Sequence, residues 1–266
     1  MLESNLKQRL RNGETVLGPF VLCSDPSFTE AVGLAGFDFI IVDMEHGPLT
    51  VETAQKLCQA ASGVGLAPIV RIRRNDGPQI QRALDIGSAG VQVPQIETRA
   101  DAEAVVRGAK YAPTGARGVS FYTRAGHYAL DGGVGVGERL NEEQMTVIHI
   151  EGVRGLENLD EIIAVPHIDV IFLGPYDLSQ SLGILGQVND PRVVGAMREA
   201  VGKIRAAGKV AGTFAADAET ARRWIDAGVQ YVSVSVDNGI FAHACRDLVN
   251  AIQGGSTTTQ IPRKVR

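Results

Sequence analysis

The stretch FDFIIVDMEH, residues 37–46, places a continuous apolar run directly before a group of charged side chains. Its core, FIIV, consists of aromatic and β-branched residues, which favour strands. A second stretch, DVIFLGPYD at residues 169–177, has the same layout. Continuous apolar runs of this length are typical of parallel strands covered by helices. Both stretches therefore predict strands of a parallel sheet that end in polar groups.

Short strand-like runs alternate with helical patterns along the chain, and this alternation is typical of βα units. Strands are predicted at Val16–Leu22, Phe37–Val42, Pro68–Ile72, Gly90–Pro94, Met145–Ile150, Asp169–Leu173, Val210–Phe214 and Tyr231–Val236. Helices are predicted at Pro26–Leu34, Val51–Val64, Asp76–Ile86, Arg99–Ala109, Leu156–Ile163, Pro191–Ala207, Ala218–Ala227 and Ile240–Ile252. Eight strands can close a barrel. We therefore predict an α/β fold, a single-domain (β/α)8 TIM barrel.

One segment departs from this alternation. Residues 111–143 contain a short ARGVS run and the glycine-rich DGGVGVG, so they are predicted to form one long connection between the fourth and fifth strands. Loops of this length in compact domains are usually functional or flexible. The barrel is assigned to residues 1–253, and residues 254–266 (GGSTTTQIPRKVR) are predicted to be a flexible tail.

Composition narrows the possible partners. The net charge of −4 argues against a nucleic-acid partner, which usually requires a basic surface. No apolar run approaches the roughly 18 residues of a membrane helix, so no membrane partner is predicted. The N-terminus lacks an apolar signal-peptide core, and the three cysteines are widely spaced. Together these features predict a cytoplasmic protein without a disulfide framework.

Active sites of α/β barrels lie at the C-terminal ends of the strands. Polar residues occur at five consecutive predicted strand ends: Asp43 to His46, Arg71 with Arg73, Gln95, His149 to Glu151, and Gly174 to Asp177. Glu151 and Asp177 end neighbouring strands without an accompanying Cys or His cluster. Such a pair suits a hard octahedral cation that keeps positions open for water and substrate. The alternative is that each carboxylate forms a salt bridge at the rim.

Two further positions point to acid–base or charge-stabilising chemistry. Arg71 closes the otherwise apolar run APIVRI and needs an anionic partner, which could be a carboxylate or a developing oxyanion. An ion pair with Glu45 or Glu151 is the structural alternative. His46 follows Asp43 by three residues, so the carboxylate could fix the tautomer of the imidazole and raise its basicity. A histidine that merely caps the strand is the other interpretation.

The segment GPYDLSQSLG opens a helix directly after the sixth strand. Free amides at its start could bind a substrate carboxylate beside Asp177, although an ordinary helix start gives the same pattern. A Schiff-base aldolase instead needs a lysine at the top of a strand. All six lysines fall on predicted helices, in the tail or before a strand: Lys7, Lys56, Lys110, Lys203, Lys209 and Lys264. The sequence therefore favours a metal over an imine.

Several motifs, in order between Leu6 and Ile252, resemble the HpcH/HpaI aldolase/citrate lyase family. They are FIIVDMEHGP, PIVRI, VQVPQIET, YAPTGARGVS with RAGHY, IHIEGVRGLENLDEI and IDVIFLGPYDLSQSLG. Within the family they look most similar to the class II pyruvate aldolases of the 4-hydroxy-2-oxoheptanedioate aldolase type.

The resemblance implies reversible cleavage of a 4-hydroxy-2-oxo acid to an aldehyde and pyruvate, or a hydroxypyruvate-like 2-oxo acid, through a metal-bound enolate. It implies that Glu151 and Asp177 hold Mg²⁺, Mn²⁺ or Co²⁺. Arg71 would stabilise the enolate oxygen, and the His46–Asp43 pair with a metal-bound water would move the aldol proton. The implied substrate-binding residues are Gln95, His149, Gly174, Pro175 and Tyr176. The family also implies a homo-hexamer, a dimer of trimers, with the last helix exchanged between subunits.

Two positions depart from the family pattern. His149 lies where relatives commonly carry glutamine, and Arg73 lies where proline is expected. If the third strand continued as far as Arg73, its guanidinium would face the barrel mouth together with Arg71 and favour an acceptor with a carboxylate or several hydroxyl groups. The alternative is that the chain has already turned outward and Arg73 pairs with an acidic surface residue. Two rival functions remain: an acyl-CoA lyase of the citrate lyase β type, and a non-catalytic metabolite-binding barrel. Oxaloacetate decarboxylation is a chemically adjacent side activity.

Overall fold

A computed structural model describes residues 6–130 and 132–253 of the chain. Eight parallel strands close into one barrel in sequence order. They are β1 Val16–Val21, β2 Phe39–Asp43, β3 Ala67–Arg71, β4 Gly90–Val93, β5 Met145–Ile150, β6 Val170–Leu173, β7 Val210–Ala215 and β8 Tyr231–Val236. The predicted single-domain (β/α)8 barrel is therefore confirmed. The predicted tail, residues 254–266, lies outside the described residues.

Twelve α-helices are described. They are α1 Leu6–Arg11, α2 Pro26–Leu34, α3 Val51–Gly63, α4 Gly77–Asp85, α5 Arg99–Ala109, α6 Val136–Glu143, α7 Val153–Glu157, α8 Leu159–Ile163, α9 Pro175–Ser181, α10 Pro191–Ala206, α11 Ala218–Asp226 and α12 Asp237–Ile252. None of the helices in the described ranges is long and apolar enough to cross a bilayer.

The apolar core forms two layers, because successive strand side chains point to opposite faces of the sheet. Ile40 and Val42 of β2 belong to the layer between strands and helices, whereas Phe39 and Ile41 belong to the layer inside the barrel. Leu6 and Leu10 of α1 join the inner layer, so this short helix covers the N-terminal end of the barrel. The other end is left open for polar groups.

The long connection before β5 is more ordered than its composition suggests. It contains α6, where no helix was predicted, and its Arg117 side chain is fully buried. The Arg117 guanidinium donates to Asp85 and to Gln144, each at 2.6 Å, and lies over the ring of Tyr111. These contacts attach the connection to the N-terminal side of the barrel.

Two predicted helices differ from the observed ones by more than one residue at an end. Instead of one helix at Leu156–Ile163, the chain forms α7 and α8, which are separated at Asn158. The last helix begins at Asp237 rather than Ile240. The carboxylate of Asp237 accepts N–H groups from Leu22 at 3.1 Å and Cys23 at 2.9 Å. This tertiary contact anchors the first turn of α12 and has no signature in the local sequence.

Candidate active site

The C-terminal ends of the strands surround a cavity of about 330 Å³. Side chains from the strand ends and from the start of α9 line it: Phe20, Leu22, Asp43, His46, Arg71, His149, Glu151, Phe172, Gly174, Pro175, Tyr176, Asp177, Phe214 and Val236. Every predicted catalytic and metal-binding residue is among them. A cavity of this size suits a small molecule.

Arg71 lies at the centre of a buried charge cluster. It is paired across the sheet with Asp43, and its Nε and Nη2 donate to the two oxygens of that carboxylate at 2.9 and 2.7 Å. Its Nη1 lies 3.0 Å from Glu45, and its guanidinium carbon lies 4.5 Å from the centre of the Phe20 ring. Bidentate pairing fixes the plane of the guanidinium. The alternative prediction, an ion pair with Glu45, is therefore confirmed. Arg71 nevertheless lines the cavity as well.

Glu45 has an unusual protonation equilibrium. Its side chain is only 11% exposed, and burial raises its pKa from 4.5 to about 7. Repulsion from Glu151, Asp43 and Asp177 adds to this shift, while Arg71 opposes it. A carboxyl group with a pKa near neutrality can both accept and release a proton at physiological pH.

This shift predicts a pH-dependent stability in EDTA-treated protein. The unfolded chain releases the Glu45 proton near pH 4.5 and the folded chain near pH 7, so the stability contributed by Glu45 is lost as the pH rises between them. Glu45→Gln has no proton to release, so relative to wild type it should be more stable at about pH 7.5 than at about pH 5. Urea unfolding at both pH values measures this difference. If the variant and the wild type differed in unfolding free energy by the same amount at both pH values, the raised pKa of Glu45 would be contradicted.

His46 does not form the predicted side-chain pair with Asp43. Both Asp43 oxygens are engaged by Arg71. From His46 the Asp43 carboxylate accepts only the backbone N–H, at 3.3 Å, and it also accepts the backbone N–H of Glu45, at 3.0 Å. The imidazole is 65% exposed, and its Nε2 lies 4.0 Å from Glu45. The three-residue spacing of Asp43 and His46 thus corresponds to a backbone contact and not to a carboxylate–imidazole pair. Glu45, rather than Asp43, is the carboxylate next to the imidazole.

Glu151 follows β5 and carries a carboxylate that is held at both oxygens. Its Oε1 accepts the backbone N–H of Gln95 at 2.8 Å, and its Oε2 lies 3.2 Å from Nδ1 of His149. Burial opposes ionisation, yet the pKa of Glu151 is lowered by these contacts and by the charge of Arg71. A Cβ at Gly174 would lie only 3.0 Å from Oε2, so glycine leaves the carboxylate its space.

Gln95 contributes through its backbone. It adopts a φ of +58°, which places it in the left-handed region, and its side chain is exposed and outside the cavity lining. The predicted substrate contact of Gln95 stays a prediction, and in this structure the residue reaches the site through its backbone N–H. The unusual φ coincides with the N–H contact to Glu151, as is common for strained residues at functional sites.

Asp177 lies in the first turn of α9, which starts at the cavity. Gly174 is the N-cap, and Pro175, Tyr176 and Asp177 are the first three helical residues; all four line the cavity. N–H groups in a first helical turn have no acceptor within the helix, so they favour negative charge nearby. The structure brings Asp177 and the predicted substrate-binding residues of this turn into one cavity with Glu151.

The side chains in this cavity suit a hard cation that takes only a few of its ligands from the protein. Within residues 6–130 and 132–253, no group of three or more His, Cys, Asp or Glu side chains is arranged to hold a metal. Glu151 and Asp177 offer two carboxylates, one of them buried and ionised. Mg²⁺ and related ions are commonly held by one or two carboxylates, with the remaining positions filled by water and substrate.

His149 lines the cavity but is almost fully buried. Its ring stacks on Phe172 with centroids 4.4 Å apart, and burial lowers its pKa. Its Nε2 contacts the side-chain amide of Gln92, so both ring nitrogens are engaged within the protein. Neither ring nitrogen is free for a further partner, and the predicted substrate contact of His149 stays a prediction.

Three features of the site were not predicted from the sequence. They are the proton equilibrium of Glu45, the buried Gln92 and the aromatic wall formed by Phe20, Phe172 and Phe214. Gln92 had a detectable signal, because a glutamine within the apolar run VQV alternates into the barrel interior. Arg73 would have faced the mouth only if the third strand continued that far. Instead β3 ends at Arg71, and the exposed Arg73 donates to the carbonyl of Met44 at 3.2 Å.

A second cavity of about 330 Å³ lies at the opposite, N-terminal end of the barrel. Most of its charged lining residues are paired: Lys7 with Asp169, Arg11 with Glu142, and Arg139 with Glu143. The carboxylates, the imidazoles and the helix start described above are all at the C-terminal end, where barrel chemistry is found.

The profile of the HpcH/HpaI aldolase/citrate lyase family matches residues 17–244, which is most of the barrel. The chain belongs to this family. The resemblance inferred from the sequence motifs is thus confirmed, and the matched region includes every predicted site residue.

Individual HpcH/HpaI relatives span nearly the whole chain. A hydroxypyruvate/pyruvate aldolase from Pseudomonas aeruginosa is 37% identical over 257 residues, covering 95% of this chain and 94% of the relative. A 2-dehydro-3,6-dideoxy-6-sulfogluconate aldolase from Pseudomonas putida is 34% identical, covering 92% and 95%. The crystal structure of a family protein from Burkholderia cenocepacia J2315 superposes with a TM-score of 0.90 at 31% identity, covering 94% of this chain and 100% of that one. The two Pseudomonas relatives are named as aldolases, which are carbon–carbon lyases.

Proposed function

We propose that this protein is a divalent-metal-dependent aldolase. It would cleave a 4-hydroxy-2-oxo acid reversibly into an aldehyde and pyruvate, or a hydroxypyruvate-like 2-oxo acid. One observation carries the proposal: the carboxylate of Glu151, ionised and held at both oxygens, shares a small cavity with Asp177 and with the guanidinium of Arg71. The relatives of this chain that are named as aldolases support the same reaction class.

Glu151 and Asp177 would hold the cation, which we propose to be Mg²⁺, Mn²⁺ or Co²⁺. When bound, the ion would act as a Lewis acid on the 2-oxo group of the substrate. The first turn of α9 would orient the substrate carboxylate with the N–H groups of Tyr176 and Asp177, because Pro175 has no N–H and the N–H of Gly174 donates to the carbonyl of Ile150. Gly174 would keep this approach open, since any side chain there would press on Glu151.

Arg71 and His46 would divide the proton and charge chemistry. The guanidinium of Arg71 is oriented by Asp43, so it can stabilise negative charge as it develops on the enolate oxygen. His46 is the exposed acid–base group at the cavity edge, and Glu45 beside it has a pKa of about 7. We propose that His46 exchanges the proton of the 4-hydroxyl group and that Glu45 serves as its carboxylate neighbour.

The observations favour this function over the two rivals. An acyl-CoA lyase needs a basic groove for the nucleotide, whereas Arg71 is the sole Lys or Arg side chain among the described residues that line this cavity. A non-catalytic binding barrel would not need a carboxyl group tuned to neutrality beside a buried, bidentate guanidinium. Groups with strongly shifted pKa values cluster at catalytic sites.

Metal removal tests the proposal directly. EDTA-treated protein should lose cleavage of 4-hydroxy-2-oxo acids, and Mn²⁺ or Mg²⁺ should restore it. A panel of aldehydes offered with pyruvate and with hydroxypyruvate, followed by product analysis, would then identify the acceptor. Full activity after EDTA treatment and dialysis would refute metal dependence. Metal-dependent turnover of an acyl-CoA substrate alone would favour the lyase rival.

We also propose that the protein assembles as a homo-hexamer through α12. Only Asp237 of this helix is buried, whereas Phe241, Leu248 and Ile252 are 56%, 65% and 84% exposed. Their spacing places them on one helical face. Exposed apolar faces of this kind usually mark protein–protein contacts, and a second copy of this chain supplies the same face symmetrically.

The assembly proposal predicts a mass. Light scattering at micromolar concentration should give about six times the 28.3 kDa of one chain. The double variant Phe241→Glu/Leu248→Glu should shift the protein to smaller species, because it places charge on the apolar face. Asn250→Glu, on the opposite face of the same exposed helix, is the matched control and should leave the mass unchanged. A wild-type monomer would refute the proposal.

A cytoplasmic location remains part of the proposed function. All three cysteines, Cys23, Cys58 and Cys245, are free thiols, as expected in a reducing compartment.

A further inference from the structure

Three polar side chains form a chain inside the barrel, below the cavity. Tyr231, Gln92 and His149 are 0%, 0% and 1% exposed. The hydroxyl of Tyr231 lies 3.2 Å from Oε1 of Gln92, Nε2 of Gln92 contacts Nε2 of His149, and Nδ1 of His149 lies 3.2 Å from Oε2 of Glu151. The three contacts lead from the packed interior to the candidate metal ligand.

The direction of these hydrogen bonds follows from the donors available. Gln92 accepts through Oε1 and donates through Nε2, and the Tyr231 hydroxyl supplies the proton for the first contact. Nε2 of His149 must then be the acceptor, which places the proton of a neutral imidazole on Nδ1. This proton points to Oε2 of Glu151. The opposite direction would require a doubly protonated, charged ring in a fully buried position, which burial disfavours.

We infer that Tyr231 and Gln92 hold His149 as a neutral Nδ1–H donor that positions Glu151 for a divalent cation. This inference rests on the proposed function, in which Glu151 is a metal ligand. Oε1 is held by the N–H of Gln95 and Oε2 by His149, so each oxygen keeps a lone pair for an ion. With both ring nitrogens engaged, the site offers oxygen ligands, which favour Mg²⁺ or Mn²⁺ over Zn²⁺.

A positioning role of this kind has a measurable size. Groups that orient a metal ligand typically contribute about 10- to 100-fold to metal affinity. His149 is therefore a positioning residue, and its loss should appear in the dissociation constant for the metal before any reaction takes place. If His149 instead contacted the substrate, its loss would alter the KM for the 2-oxo acid and leave the metal affinity unchanged.

The test compares two variants of similar size in the full-length, EDTA-treated protein. In His149→Asn the side-chain amide can replace Nδ1–H as donor to Glu151, whereas His149→Leu has a similar shape and no donor. Both lose the stacking on Phe172 and the contact with Gln92 equally. Calorimetric titration with Mn²⁺ should give a Kd for the leucine variant about tenfold or more weaker than for the asparagine variant. Equal Mn²⁺ affinities would overturn the inference.

Two further measurements keep the inference separate from the proposed function. Glu151→Gln should abolish Mn²⁺ binding; if it does not, the metal site itself is wrong, whatever the His149 variants do. In wild-type protein, ¹⁵N NMR of the histidine rings should show His149 as the Nδ1–H tautomer, with its ring assigned as the one whose signals change in Gln92→Leu. An Nε2–H tautomer would overturn the inference even if both His149 variants failed to fold. Gln92→Leu should release this tautomer preference, because it removes the donor to Nε2.

Discussion

Glu151→Gln and Asp177→Asn are each expected to lower kcat/KM for aldol cleavage by about 10³-fold, because a Lewis-acid metal supplies several kcal/mol to the transition state. Each variant removes one charge and keeps the shape of the side chain. Tight Mn²⁺ binding should disappear in parallel, while circular dichroism and the thermal midpoint change little. Steady-state kinetics and Mn²⁺ titration on the same preparations measure both effects.

Glu157→Gln provides the matched control. Glu157 is an exposed residue at the end of α7, six residues beyond Glu151, and does not line the cavity. The same loss of charge there should leave turnover and Mn²⁺ affinity unchanged. If Glu151→Gln retained wild-type Mn²⁺ affinity, the assignment of the cation to these two carboxylates would be wrong.

Arg71→Met is expected to damage both stability and catalysis. It leaves the buried Asp43 carboxylate without its bidentate partner, and such a loss typically costs about 3–5 kcal/mol of unfolding free energy. It also removes charge stabilisation of the developing enolate, which should lower the rate by about 10²- to 10³-fold. Urea unfolding and kinetics separate the two effects. In Arg71→Met/Asp43→Asn, stability should largely return while activity does not.

Comparison with His46→Ala assigns the separate roles. Arg71→Met should slow both aldol cleavage and the exchange of pyruvate methyl protons with D₂O, because both pass through the enolate. His46→Ala should slow cleavage much more than exchange, since only cleavage needs a proton transfer at the 4-hydroxyl group. Equal damage to both reactions by the histidine variant would show that His46 does not act on the acceptor.

The barrel was predictable because its signal is local. Runs such as FIIV and VIFL alternate with amphipathic helices, and that pattern depends only on neighbouring residues. The positions of Glu151, Asp177 and Arg71 at one mouth followed from the topology, since parallel strands in a barrel all end at the same edge. Predicted strand bounds differ from the observed ones by at most two residues at either end.

What could not be predicted depends on contacts distant in sequence. The partner of Asp43 is Arg71, 28 residues away on the next strand, whereas the nearby His46 seemed the natural choice from spacing alone. The role of Gln95 depends on a left-handed φ that turns its N–H toward Glu151, 56 residues further on. The pKa of Glu45 depends on burial by the assembled mouth. Each of these is a property of the closed barrel.

The charge of the cavity wall also bears on the order in which ligands arrive. Three carboxylates, Asp43, Glu151 and Asp177, face the space with one guanidinium, that of Arg71. A 2-oxo acid is itself an anion, so the bare mouth repels it electrostatically. A dication neutralises that excess and reverses the local field at the carboxylates. The charge of the cavity wall therefore favours ordered binding, in which the cation binds first and the oxo acid second. The metal-free protein repels the same anions that the metal-bound protein binds.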